Sequence, residues 1–240
     1  MSEWWTYRPS DFLLFSARTY YRLFEIHNAA LWPGHALATA LAIALLWLAW
    51  RGGRWPGRGA LAILGLAWWF TAAAYFFWRY ATINWAALWF GAAFALEGAL
   101  LLALASSRAC PAVQAQSSES GGFPRQAIGV TLLVAAIAYP LVALALGRPW
   151  TQVELFGLAP DPTAIGTLGL LLLVDWGEER RLRPKVRLAW ITALWTIPVA
   201  WCLLTGMTLW TLRSPEAIIA PGLAVLALVA SRFARRPATS

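Results

Sequence analysis

Residues 158–174 read LAPDPTAIGTLGLLLLV, an apolar run whose beginning holds a carboxylate between two prolines. Pro162 has no amide hydrogen and disfavours helical geometry at Asp161, so we expect irregular backbone there and a helix that restarts near Thr163. In one interpretation, Asp161 is the N-cap of a short helix at a membrane surface. In the other, the break lies within a membrane-embedded helix whose first amide groups, with Thr163 and Thr167, face a small ligand or ion.

Apolar runs of this kind recur along the whole chain of 240 residues. Hydrophobic residues make up 60% of it and charged residues 12%, and the mean hydropathy is +0.59, which is typical of a membrane protein. A helix needs about 20 apolar residues to cross a hydrocarbon core of roughly 30 Å. We therefore predict an all-α fold, a polytopic transmembrane helix bundle that forms a single integral membrane domain over residues 1–240. The seven predicted spans cover residues 30–50, 59–80, 83–105, 127–147, 153–174, 188–211 and 215–233.

The N-terminal segment, residues 1–28, precedes the first span and is predicted to lie on the membrane surface. Within it, DFLLFSARTYYRLFEIHN, residues 11–28, partly separates apolar from charged side chains at helical spacing. Such a helix serves either as a lid or partner-docking element or simply as an anchor, and we favour the anchor.

The basic residues report on topology, because cytoplasmic loops of membrane proteins are enriched in Lys and Arg. This enrichment accounts for the net charge of +8, so the charge does not indicate a nucleic-acid partner. Seven crossings place 13 of the 19 basic residues on one side and 6 on the other; a segment 153–174 that re-enters without crossing produces the same split. The short loop RGGRWPGR, residues 51–58, separates the two arrangements, since only seven crossings make it cytoplasmic. We therefore predict a periplasmic N-terminus and a cytoplasmic C-terminus.

Glu97 lies in the middle of the third predicted span, in WFGAAFALEGALLLALA, residues 89–105. A carboxylate at that depth costs about 2.5–3.5 kcal/mol or more, so it should face the interior of the bundle or a water-filled cavity. Its functional interpretation is a proton relay or cation site. The structural alternative is a neutral acid hydrogen-bonded to a neighbouring helix.

Histidine and tryptophan residues are further candidates for ligand binding. His35, near the start of the first span, is expected to form hydrogen bonds or to sense pH, because it lacks the partners of a metal or haem site. Trp85, Trp89 and Trp195 are candidates for an aromatic lining around an organic cation, although belts at the membrane surfaces account for them as well. We predict no cofactor and no metal. Two acids without a nucleophile or metal cluster make an enzyme the least favoured class.

Two stretches carry a resemblance to a known family: YRPSDFLLFSARTYYRLFE, residues 7–25, and PDPTAIGTLGLLLL, residues 160–173. Their combination resembles an uncharacterised family of bacterial multi-pass membrane proteins, a domain of unknown function, and the likeness covers most of the chain. The resemblance implies a location in the bacterial inner membrane. It implies no activity and assigns no functional residue.

The polar groups within apolar runs favour a channel or transporter for a small solute or ion, with Glu97 and the Asp161–Thr163 break lining its pathway. The alternative is a non-catalytic accessory or assembly subunit of a larger membrane complex. The expected partners are the lipid bilayer, a small solute or ion, and either further copies of the chain or other membrane proteins.

Overall fold

The computed structural model describes residues 15–114, 123–176 and 183–232, and residues 1–14 of the predicted surface segment lie outside these ranges. The fold is 80% helical, so the predicted all-α class is confirmed. The described residues form nine α-helices and one pair of short strands. The helices are α1 (Ala17–Leu31), α2 (Gly34–Arg51), α3 (Arg54–Phe70), α4 (Ala87–Ser106), α5 (Phe123–Ala138), α6 (Pro140–Ala145), α7 (Pro160–Leu173), α8 (Pro184–Thr211) and α9 (Ile219–Ser231); the strands are β1 (Ala112–Val113) and β2 (Val174–Asp175).

Four helices are long and apolar enough to cross a membrane. They are α2, the continuous helix Arg54–Thr82 that begins with α3, α4 and α8. In the other three predicted spans the helices are shorter: Pro140 begins α6 directly after α5, α7 has 14 residues and α9 has 13. The structure therefore supports a helical protein compatible with a membrane.

The helix α7 differs from its prediction at its start. Residues 153–159 are not helical, and the helix begins at Pro160, so Asp161 lies in the first turn and is not the N-cap. Both prolines are tolerated there because the first amide groups of a helix need no intrahelical partner. All 14 residues of α7 are buried, and the helix packs against α3, α5, α8 and α9.

The two ends of the bundle are held by different contacts. At one end β1 pairs antiparallel with β2, and Gly53 bridges Val113; we call this the strand end. At the other end, Asn28 of α1 donates hydrogen bonds to the carbonyl groups of Thr151 and Val153, each at 2.9 Å; we call this the α1 end. α7 begins beside α1 and its last residue leads directly into β2, so it runs from the α1 end to the strand end.

Helices α3 and α4 pack closely where two glycines meet. A Cβ atom added to Gly98 would lie 2.1 Å from Cδ1 of Trp69 and 2.8 Å from the carbonyl oxygen of Gly65. Glycine at this position therefore lets the two backbones approach. Beyond this crossing α3 continues as a π-helix, Thr71–Phe77, whose side chains Tyr75 and Phe76 enter the core.

Exposed tryptophans lie near both ends of the helices, as expected for residues at membrane surfaces. Each is more than half exposed. Near the α1 end they are Trp32, Trp78, Trp85, Trp89, Trp150 and Trp210, and near the strand end Trp47, Trp50 and Trp55.

Candidate functional site

Asp161 is the centre of a buried hydrogen-bond cluster at the start of α7. Tyr139 Oη and Thr205 Oγ1 donate to its Oδ2 atom at 3.2 and 3.1 Å, and Trp201 Nε1 donates to Oδ1 at 2.8 Å. The donors come from the junction of α5 with α6 and from α8. A carboxylate that accepts three hydrogen bonds is stabilised as an anion by neutral groups. Asp161 is thus a fixed part of the packing between three helices.

The two threonines predicted to accompany Asp161 also lie in the buried core. Thr163 Oγ1 accepts from the Gly157 amide at 2.9 Å and donates to the Ala159 carbonyl at 2.7 Å. Thr167 Oγ1 donates to the Thr163 carbonyl and accepts from Trp68 Nε1 at 2.7 Å. These bonds hold the turn before α7 and fasten α7 to α3. The structure brings Asp161, Thr163 and Thr167 together along one short helix.

Glu97 is buried in α4, but both of its carboxyl oxygens lack a hydrogen-bond partner. One turn earlier on the same helix, the Phe94 ring packs 5.2 Å from the Trp201 ring, whose indole bonds Asp161. No hydrogen bond joins Glu97 to the Asp161 cluster within the described residues. Glu97 is therefore a separate buried acid.

A second group of charged residues, at the α1 end, was missed by the sequence reasoning. Arg148 Nη2 lies 2.5 Å from Glu216 Oε2, and the side chains are 12% and 1% exposed. The Tyr21 hydroxyl donates to Glu216 Oε1 at 2.6 Å, and Arg148 stacks over the Tyr21 ring at 4.2 Å. Burial and the bond to Glu216 raise the pKa of the Tyr21 phenol above its usual value, so this hydroxyl keeps its proton.

Glu154 is the other acid that the sequence reasoning did not select. It lies in the non-helical segment before α7, is 3% exposed, and its Oε2 atom has no hydrogen-bond partner. One signal in the sequence could have found it: in VELFGLA, residues 153–159, it is the single charged residue of an otherwise apolar run.

The remaining predicted residues lie elsewhere. His35 Nε2 lies 3.3 Å from Asn28 Oδ1, and His35 lines a cleft of about 660 Å³ between α1, α2 and α6. Trp85 and Trp89 are 69% and 71% exposed and belong to the surface tryptophans of the α1 end. Trp195 is partly buried against the hydrophobic core. The structure does not gather these side chains around one ligand.

The described parts of the chain contain no group of three or more His, Cys, Asp or Glu side chains placed to hold a metal ion. Asp161 and Glu216 instead meet hydroxyl groups, an indole and one guanidinium group.

No curated protein and no solved structure matches the chain. A family model, described as a family of unknown function (DUF6064), matches residues 17–239, which includes the second of the two stretches that predicted an uncharacterised family. The chain therefore belongs to this family, DUF6064.

Proposed function

We propose that the protein is a transporter for a small solute or ion in the bacterial inner membrane. Four carboxyl groups lie in its core and at its α1 end: Glu97, Glu154, Asp161 and Glu216. One guanidinium group, that of Arg148, pairs with one of them. Buried ionisable groups in a membrane protein are costly, and they generally mark ion or substrate pathways.

The observation that carries this proposal is that two of the four acids are buried without partners. Glu97 and Glu154 have carboxyl oxygens with no hydrogen bond, whereas Asp161 and Glu216 are bonded by several donors. An unpartnered buried carboxyl is expensive unless it binds a proton, a cation or a solute group. The core thus combines fixed acids with acids that are available for binding.

A carrier fits this geometry better than an open channel. The large clefts of about 500 and 660 Å³ lie beside α2, and neither is lined by Glu97, Glu154 or Asp161. These two clefts therefore do not reach the acids in this conformation. Alternating exposure of the acids to the two sides would admit a solute.

Seven membrane crossings are part of the proposal. The course of α7 from the α1 end to the strand end supports a crossing at residues 160–173. The arginine-rich loop 51–58 belongs to the strand end, which supports placing that end in the cytoplasm and α1 in the periplasm.

Cysteine accessibility tests this topology. In a background with Cys110→Ala and Cys202→Ala, a membrane-impermeant maleimide added to intact cells should label Ser2→Cys and Thr151→Cys and leave Arg51→Cys unlabelled until the cells are opened. Labelling of Arg51→Cys in intact cells, with Ser2→Cys protected, would reject the proposed orientation.

Reconstitution into sealed vesicles tests transport. We expect vesicles containing the protein to change the internal concentration of H⁺, Na⁺ or K⁺ when a diffusion potential is imposed, as measured with trapped ion-sensitive dyes. Glu97→Gln and Glu154→Gln should reduce this flux, whereas Glu25→Gln, which changes a partly exposed acid of α1 outside the core, should not. Flux equal to that of empty vesicles, or unchanged in both core variants, would argue against transport of these ions.

The accessory subunit remains the second candidate, favoured by one observation. α2 buries mainly small residues, Ala38, Ala42 and Ala49, and exposes large apolar ones between the open clefts at its sides. A partner helix could pack there. Purification from native membranes in a mild detergent decides: stoichiometric co-purification of other chains supports the subunit, and a homogeneous species of this chain alone supports the transporter.

A further inference from the structure

Glu154 is held in place by its neighbours in the chain. The carbonyl of Val153 accepts from Asn28 Nδ2 at 2.9 Å, and the carbonyl of Leu158 bonds His27 Nε2 at 3.0 Å. The segment that carries Glu154 is thus fastened to α1 on both sides of the acid. Because its backbone is fixed, the absence of a partner for Oε2 belongs to the folded arrangement and is not a consequence of a loose loop.

The charges around Glu154 do not balance. The ionisable groups within electrostatic range of it come from six elements or loops: Tyr20, Tyr75, Tyr139, Arg148, Asp161 and Glu216. Arg148 already pairs with Glu216, and the tyrosines are neutral. Glu154 and Asp161 therefore repel each other when both are ionised, and in the described part of the chain neither is paired with a cation. Two buried carboxyl groups in this situation cannot both remain ionised at low cost.

A second unpartnered group lies near the same place. The Tyr75 hydroxyl, on the π-helical part of α3, is buried and makes no hydrogen bond of good geometry, although the Tyr20 side chain is near. An acceptor at Glu154 and a hydroxyl at Tyr75, both buried and unpartnered, indicate that something small binds between these elements.

The chemistry of the site identifies this ligand. Three donors already occupy three of the roughly four lone-pair sites of Asp161, which leaves about one site for a metal ion beside the carboxylate of Glu154. A metal ion that prefers oxygen ligands, such as Mg²⁺ or Ca²⁺, takes about six of them or more. A proton, in contrast, needs only one lone pair of the Glu154 carboxylate and no cavity.

We propose that Glu154 is a proton-binding site that exchanges protons with water at the α1 end, which deepens the transport proposal and rests on it for its role in coupling. A proton leaves a hydronium ion, its O–H bond breaks to leave water, and a new O–H bond forms at Oε2 of Glu154. The Arg148–Glu216 pair lies at the α1 end of this route and the Asp161 anion lies at its inner end. Protonation removes one of the two uncompensated charges.

Infrared difference spectroscopy tests the site on the intact protein in membranes. Raising the pH should remove the C=O absorption of a carboxylic acid in the wild type. In a Glu97→Gln background, which removes the other unpartnered acid, this change should disappear with Glu154→Gln and persist at full amplitude with Glu25→Gln. A pH-dependent band of the same amplitude with Glu154→Gln in that background, or no band in the wild type, would overturn the proposal.

Chemical labelling provides a measurement on the unmodified chain, in case Glu154→Gln does not fold. Dicyclohexylcarbodiimide reacts with protonated carboxyl groups in apolar surroundings, and mass spectrometry locates the adduct. We expect adducts on Glu154 and Glu97 and none on Asp161, and the yield at Glu154 should fall several-fold as the pH rises. Labelled Glu97 with Glu154 unlabelled at every pH would overturn the proposal. A pH-dependent adduct on Glu154 in a protein that moves no ion would reject transport and retain the proton site.

Discussion

The indole of Trp201 donates a 2.8 Å hydrogen bond to Asp161 Oδ1, which joins α8 to the first turn of α7 in the buried core. Together with Tyr139 and Thr205, this bond completes the coordination of a carboxylate by neutral donors. Glu97 makes no hydrogen bond to this cluster, although both acids were predicted to line one pathway.

Stability should distinguish the two acids. Asp161→Asn replaces one carboxylate oxygen, which accepts hydrogen bonds, by an NH2 group, which donates them. At least one buried donor therefore loses its acceptor, and the expected loss of stability is about 1–3 kcal/mol. Glu97→Gln removes no hydrogen bond, because neither of its oxygens has one. Thermal unfolding in detergent should therefore show a clear decrease of the midpoint for Asp161→Asn and a small change for Glu97→Gln. Equal decreases would contradict the fixed role of Asp161.

The buried pair of Arg148 and Glu216 should be necessary for the folded α1 end. Arg148→Met leaves the Glu216 carboxylate, 1% exposed, without its cation, and breaking such a pair costs about 3–5 kcal/mol. Glu216→Gln should cost less, since Gln keeps an oxygen that can accept from Arg148 and the guanidinium group keeps its stacking on the Tyr21 ring. Unfolding midpoints and protease sensitivity of α1 measure this difference. The reverse order would contradict it.

The crossing of α3 and α4 should tolerate no added methyl group. In Gly98→Ala the new Cβ would overlap Trp69 and the Gly65 carbonyl, so the helices must separate, with a loss of about 1–3 kcal/mol. Gly222→Ala is the matched control, because no atom lies within 4 Å of its added Cβ. The control should be neutral or slightly stabilising, since Ala favours helix over Gly by about 1 kcal/mol. Thermal midpoints of both variants check the contrast.

The attachment of α1 should weaken in acid through His27. Burial lowers the pKa of His27 from 6.5 to about 4, and its Nε2–H bonds the Leu158 carbonyl. When α1 detaches or unfolds, His27 regains its ordinary pKa and takes up a proton. The stabilisation is therefore complete above pH 6.5 and is lost as the pH falls towards 4. A pKa difference of about 2.5 corresponds to about 3 kcal/mol.

A variant isolates this effect from other titrating groups. His27→Gln retains an N–H donor for the Leu158 carbonyl and does not titrate. Its unfolding midpoint should depend less on pH between 4 and 6.5 than that of the wild type. Parallel pH curves for the two proteins would show that His27 does not titrate differently in the folded state.

Local sequence was sufficient to predict the longest helices and the burial of Glu97. Apolar runs of the required length mark α2, α4 and α8 to within a few residues, and an acid in the middle of such a run must turn inward. The hydrogen-bond donors of Asp161 were not predictable in this way. Tyr139, Trp201 and Thr205 lie 22, 40 and 44 residues from Asp161, and helical periodicity carries no information about such pairings.

The contacts at the α1 end also could not be predicted from the sequence. Arg148 and Glu216 are 68 residues apart, and each looks like an ordinary loop charge in the sequence. Composition also does not separate a lipid-facing helix from one enclosed by protein. α7 and α4 are both strongly apolar, yet α7 is buried along its whole length and α4 exposes Leu88 and Leu96.

The complete enclosure of α7 has a consequence for biogenesis. α8 and α9, which cover part of it, follow it in the chain, so α7 leaves the ribosome before these neighbours exist. With 14 residues it extends about 21 Å, less than the thickness of the hydrocarbon core. A segment of this kind is poorly retained by lipid alone. In the proposed seven-span arrangement, the insertion of α7 depends on the helices synthesised after it, and chains truncated before α8 should be degraded.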